Sequence, residues 1–181
     1  MNALYTPSFK AYVSLASVGA QLSFEPLNTS SAEGKSKSSS KGWLYARSGA
    51  YYSSEINGLP VDFIYIGKSC YLIKLPDYAL AASDNGYIGG YQTGHHWKLQ
   101  SLTSNSLVLP TSEMVGNTLE VNLLNHSRND SSLCLYNRKH MTDSDWRCYV
   151  TEAEGERTSV TLHIVALLDP ADGHIVRTHL H

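Results

Sequence analysis

One stretch near the C-terminus constrains the fold more than any other. In "TSVTLHIVALL", Val160, Leu162, Ile164 and Ala166 alternate with Thr161, His163 and Val165. A period of two places one set on each face of an extended strand. The "DPADG" that follows turns the chain, with Asp169-Pro170 opening the turn and Gly173 free to take a positive φ at its end. "HIVRTHLH" then returns as the second strand of a hairpin.

The same pattern recurs upstream. Leu133 and Leu135 alternate with Cys134 and Tyr136 in "DSSLCLYN", and Trp146, Cys148 and Val150 share a face in "DWRCYVTEA". "SFKAYVSLASVGAQLSFEPL" reads as one or two strands, and "WLYARSGAYYSS" and "VDFIYIGKSCYLIKL" are rich in β-branched and aromatic residues. "YLIKLPDYALAAS" has room for a short helix, which Pro76 keeps from being long. No segment carries a helical stripe over three turns. Short strands punctuated by Gly, Pro, Asn and Ser imply an all-β protein: a single-domain antiparallel β-sandwich or jelly roll, with a closed barrel as the second choice. Leu80 and Trp97 would suit the core of a β-trefoil lobe, but no repeat supports that fold.

The 181 residues suffice for one domain with a substantial core. Residues 28–42, "NTSSAEGKSKSSSKG", read as a polar loop with almost nothing to bury, and mobility is an expectation there. A net charge of −2 gives no electrostatic reason to expect nucleic acid. The chain shows no standard signal peptide and no membrane-length apolar run, so the expected setting is cytoplasmic, or secreted by another route. The three cysteines, Cys70, Cys134 and Cys148, lie in strand-like surroundings and are expected to be buried free thiols, with a Cys134–Cys148 bridge open if their strands are neighbours.

There is no HExxH, GxSxG or Walker-type loop, and the expectation is a protein without enzymatic activity. The segment "DNGYIGGYQTGHHW" draws attention instead. Sugars are held by aromatic faces against their C–H patches and by polar side chains on their hydroxyls. Asp84, Asn85, Tyr87, Tyr91, Gln92, His95, His96 and Trp97 supply both types in one loop-strand segment. A glycan or other small polar ligand is the expected partner, and a lectin-like binding module the expected function. Trp97 taken alone suits the core better than a site.

Two other readings compete. The aromatics of "GAYYSS" (Gly49 to Ser54) and "GGY" (Gly89 to Tyr91) would suit interfacial tips of a membrane-active or pore-forming protein. His163, His174, His179 and His181 offer imidazoles to a metal-dependent jelly-roll enzyme. No cofactor is required by the sequence; calcium is also open, through Asp143 and Asp145 in "MTDSDW", a pair that suits a turn cap as well. "TSVTLHIVALL" lacks any charge and "HIVRTHLH" carries only Arg177 as a fixed one, so one of the two is expected to need cover, which pairing in a homo-oligomer would provide. The alternative is a strand buried centrally in one domain.

The C-terminal half also resembles the PixA/AidA inclusion-body protein family of bacteria. The similarity covers roughly residues 105–178 and lies in "VGNTLEVNLL", "SLCLYN" and "DWRCYVTEAEGERTSVTLHIVALLDPADG". Gly116-Asn117 stands where that family has Gly-Asp, and its following tryptophan and terminal "WDP" are missing, so no binding residue carries over. The resemblance implies a sandwich without enzyme activity, storage or inclusion behaviour and, in some members, glycan binding.

Overall fold

The computed structural model describes residues 7–27, 40–48, 58–140, 145–168 and 175–177. Alternation sets the strands. In β1 (Ser8–Leu15), Phe9, Ala11, Val13 and Leu15 are buried while the residues between them are partly exposed. A single 3-10 turn ending at Gly19 (φ 60°) leads into β2 (Ala20–Pro26). The backbone N–H of Leu27 donates to Lys41 O at 2.9 Å, so the ends of the polar tract meet before β3 (Gly42–Ser48); residues 28–39 lie outside the described residues. Next come β4 (Leu59–Gly67), β5 (Cys70–Lys74), β6 (Ala79–Ala82), β7 (Ile88–Tyr91), β8 (Trp97–Ser101) and β9 (Thr118–Asn125). The chain continues through β10 (Ser131–Ser132), β11 (Cys134–His140), β12 (Trp146–Thr151), β13 (Glu156–Arg157), β14 (Val160–Leu168) and β15 (Ile175–Arg177).

The all-β expectation holds, but the sandwich or jelly roll does not, nor does the sandwich implied by the PixA/AidA resemblance. Following hydrogen-bonded neighbours from β1 through β2, β3, β7, β6, β5, β8, β9 and β14 returns to β1, a closed barrel of 9 strands. β4 lies between β1 and β5, and β12, β11 and β13 extend outward from β3. Alternation reads alike on the inner face of a sandwich and of a barrel. Closure here depends on narrow contacts between distant residues, such as Tyr71 with Trp97 and Trp43 with Gly89, which no local pattern encodes.

Two further expectations are corrected. "YLIKLPDYALAAS" forms β5, a turn at Pro76 and β6, with no helix. The uncharged C-terminal strand is central: β14 is bonded to β1 along one side and to β9 and β15 along the other. Its apolar character reflects that position, so this strand is not the edge that a homo-oligomer would have to cover. The expected hairpin is present, since β15 pairs antiparallel with β14.

Side chains fill the interior. Phe9 stacks on Phe63 at 4.5 Å, and Tyr71 meets Phe9 edge-on at 5.5 Å. The indole N–H of fully buried Trp97 donates to Leu80 O at 3.1 Å. A residual cavity of about 20 Å³ remains among Val13, Leu22, Leu44, Phe63, Ile73 and Leu80. That is barely the volume of one water, with no polar partner for it. Packed side chains line the described part of the barrel interior, and the roomier cleft among the described residues lies outside it.

Candidate functional site

The outer face of the β3–β12–β11 extension carries the most distinctive chemistry. Antiparallel register sets Tyr45 of β3 opposite Tyr149 of β12, and Tyr149 opposite Tyr136 of β11. One rung across three strands is therefore all tyrosine. Two residues along, Arg47 faces Arg147, and Arg147 faces Lys139. That rung is all cationic. From Tyr136 to Lys139 is three residues, which in a regular strand would put the two on opposite faces. A register shift between them, a β-bulge, restores Lys139 to the tyrosine face.

Tyr87 completes the site from the other side. It bridges Thr151 at the end of β12, and its ring stands perpendicular to Tyr149 at 5.2 Å and edge-on to Tyr136 at 6.3 Å. Trp43 supports Tyr87 from behind at 6.0 Å. Tyr45, Tyr87, Tyr136, Tyr149, Lys139 and Arg147 line an open cleft of about 270 Å³, with the buried Cys148 beneath.

The electrostatics of the cleft are lopsided. Arg147 lies over the Tyr45 ring at 4.1 Å and reaches Glu25 Oε2 at 2.6 Å, while Arg47 bonds Glu25 Oε1. One carboxylate thus serves two guanidinium groups. Lys139 is exposed and has no carboxylate partner among the described residues. Burial, then hydrogen bonding with Tyr149, holds the Tyr45 phenol above its ordinary range, so it is a neutral hydroxyl at physiological pH.

The segment 84–97 is spread over several environments. Tyr87 lines the cleft. Asp84 and Asn85 sit exposed at the tip of a turn, and Gln92 and His96 are exposed beyond β7. Tyr91 is half-buried, and burial raises its phenol pKa. Trp97 belongs to the core and presents no surface to a ligand.

His95 enters a buried polar network. Its Nδ1 accepts from the Ala82 N–H at 3.2 Å and faces Asn125 Nδ2 at 2.9 Å. Asn125, wholly buried, also donates through Nδ2 to Glu152 Oε2 at 2.7 Å. Glu152, its side chain 5% exposed, accepts from Arg128 Nε and Ser131 Oγ, each at 2.9 Å. Arg128 then donates to Ser83 O at 3.0 Å, and Glu152 N to Gly86 O at 2.8 Å. Gly86, at φ 83°, holds a backbone conformation that L side chains rarely adopt. The network fixes the turn that delivers Tyr87.

The remaining candidates fall elsewhere. Gly89 and Gly90 of "GGY" are buried inside β7 and form no exposed tip, and "GAYYSS" lies outside the described residues. No helix among the described residues is long and apolar enough to cross a membrane. His163 stands on β14 opposite Tyr12 and Thr118; His174, His179, His181 and Asp143 lie outside the described residues. No group of three or more His, Cys, Asp and Glu among the described residues could hold a metal ion. All three cysteines are free, and the register sets Cys134 opposite Thr151 rather than Cys148.

The cleft residues other than Tyr87 escaped the sequence reading. A signal was available: "YAR" at Tyr45–Arg47 and "RCY" at Arg147–Tyr149 are mirror images, as antiparallel partners with matching rungs must be. No protein-family model matches the chain, and no curated protein or solved structure matches it.

Proposed function

We propose that this protein is a non-enzymatic carbohydrate-binding module that seats a sugar ring in the cleft of Tyr45, Tyr87, Tyr136 and Tyr149. The carrying observation is the rung of three tyrosines closed from one side by Tyr87. Tyr149, 37% exposed, offers ring surface to the C–H patch of a pyranose. The phenol hydroxyls and the Lys139 and Arg147 donors suit its hydroxyls. At about 270 Å³ the cleft falls just below the ~300 Å³ at which small-molecule pockets begin, the scale of one sugar ring with its neighbours outside. Binding rather than chemistry is favoured by Cys148, whose thiol burial pushes up to about 11 and so keeps protonated. The net charge of −2 favours sugars over nucleic acid as the stacked ligand.

A glycan array followed by titration calorimetry on its hits tests this reading. Tyr149→Ala and Tyr87→Ala should each weaken binding about tenfold, the ~1.4 kcal/mol of a lost aromatic contact, in a folded protein. Trp97→Ala should instead cost about 3–5 kcal/mol of stability. An array without hits, or affinity indifferent to both tyrosines, refutes the proposal.

A further inference from the structure

We infer that the sugar taken by the tyrosine cleft is an acidic one, whose carboxylate lies on the rung formed by Arg47, Arg147 and Lys139. This rests on the carbohydrate-binding reading above and specifies its ligand class. Like charges directly opposite one another on a sheet are destabilising, and here three stand in a row on adjacent strands. A chain of net charge −2 has not placed them there through a general surplus of basic residues. Glu25 answers two of the three by bridging Arg47 and Arg147. Counted over Arg47, Arg147, Lys139 and Glu25, the rung carries an excess of positive charge, at the rim of a cleft that fits a single ring.

The plainer account of Lys139 is protection of an edge, because β11 is covered by β13 only at Cys134 and Leu135. Two observations go beyond it. Arg47 and Arg147 occupy β3 and β12, which are paired on both sides, so edge protection does not explain the rest of the rung. A lysine would also guard the edge from either face, yet the bulge after Tyr136 turns Lys139 toward the tyrosines. Arg147 is already oriented, stacked on Tyr45 and held by Glu25. A guanidinium so fixed can meet a carboxylate at little cost in side-chain freedom. The ring would lie on Tyr149 and Tyr87 with its acidic substituent toward Lys139.

Calorimetry with matched pairs tests the inference: methyl glucuronide against methyl glucoside, and methyl galacturonide against methyl galactoside. Each pair differs only in the carboxylate. For at least one pair the acidic member should bind about tenfold tighter at ~0.05 M salt, and most of that advantage should vanish at ~0.5 M, where exposed charges are screened. Lys139→Gln should reduce the ratio of acidic to neutral affinity about fivefold, whatever it does to the neutral member, and Lys139→Arg should restore that ratio. Neutral sugars binding as well as acidic ones would overturn the acidic preference and leave the cleft reading standing. An acidic preference indifferent to salt and to Lys139→Gln would remove the rung from the account. Failure of all four glycosides, alongside an array without hits, would bring down both.

Discussion

Removing the Glu152 carboxylate tests how the site is built. Glu152 accepts three hydrogen bonds, from Asn125, Arg128 and Ser131, and its side chain is 5% exposed. In Glu152→Ala, Asn125 loses an acceptor at a fully buried position and cannot rehydrate. A buried donor left unsatisfied costs about 1–3 kcal/mol. Breaking a buried ion pair costs about 3–5 kcal/mol, but the Arg128 side chain is 36% exposed and regains water, so only part of that penalty applies. The sum is about 3 kcal/mol, or roughly 6–12 °C in Tm for a chain of this size. Glu152→Gln is the sharper variant. Its carbonyl can still serve Arg128, but its amide then meets the Asn125 amide donor to donor. Asn125 cannot turn over to help, because its Nδ2 also faces His95 Nδ1, which is already accepting from the Ala82 N–H. About 2 kcal/mol should therefore be lost even though the shape is kept. Urea unfolding monitored by tryptophan fluorescence measures both. A glutamine variant within about 0.5 kcal/mol of the wild type would refute the donor assignments, and with them the claim that the network is fixed. Because the same network holds Ser83 and Gly86, Glu152→Ala should also weaken sugar binding through Tyr87.

Two further outcomes follow from burial. Desolvation first, then the fields of Arg128 and His96, lower the His95 pKa from its ordinary 6.5, against the opposing field of Glu152. The unfolded chain therefore takes up this proton first as pH falls; the contribution to stability is complete above about pH 6.5 and is lost between that value and the lowered one. The urea midpoint should fall from about pH 7.5 to about pH 5 with a slope that His95→Gln reduces, and an unchanged slope would refute the assignment. Cys148, at about 11, is a thiolate in roughly one molecule in a thousand at pH 8. Iodoacetamide at that pH should label the half-buried Cys134 before Cys70 or Cys148, as mapped by mass spectrometry. Early modification of Cys148 would contradict its burial.

Much of the strand content was legible because alternation is local. Val160, Leu162, Ile164 and Ala166 are buried as their spacing requires, and Leu133, Leu135, Cys148 and Val150 likewise. What joins the strands was not legible. Tyr71 meets Trp97, and Trp43 meets Gly89, through contacts that leave no trace in either stretch. The absence of charge in β14 is ambiguous in the same way: a strand with both edges paired and an unprotected edge strand have the same composition, and only the pairing with β9 and β15 decides. The segment 84–97 was singled out for its composition, but composition does not say which way a side chain points. Tyr87 and Trp97 both fit the chemistry of sugar binding, and the fold sends one outward and the other into the core.

The location of the cleft follows from the same geometry that closes the barrel. The inward side chains leave a space of about 20 Å³ among Val13, Leu22, Leu44 and Phe63, whereas the roomier cleft is written on outward positions. Outward positions are partly exposed around the ring, and β12 and β11 extend that outward face from β3. There, every second residue along three strands can be chosen for a ligand while the alternate residues, Leu44, Ala46, Cys148, Val150 and Leu135, stay buried. Side chains needed together must then share a rung or adjacent rungs, which is how the tyrosines and the cations are arranged. Strict alternation would have turned Lys139 away from them. The bulge after Tyr136 changes the register of β11, so a single extra residue brings the third cation to the cleft.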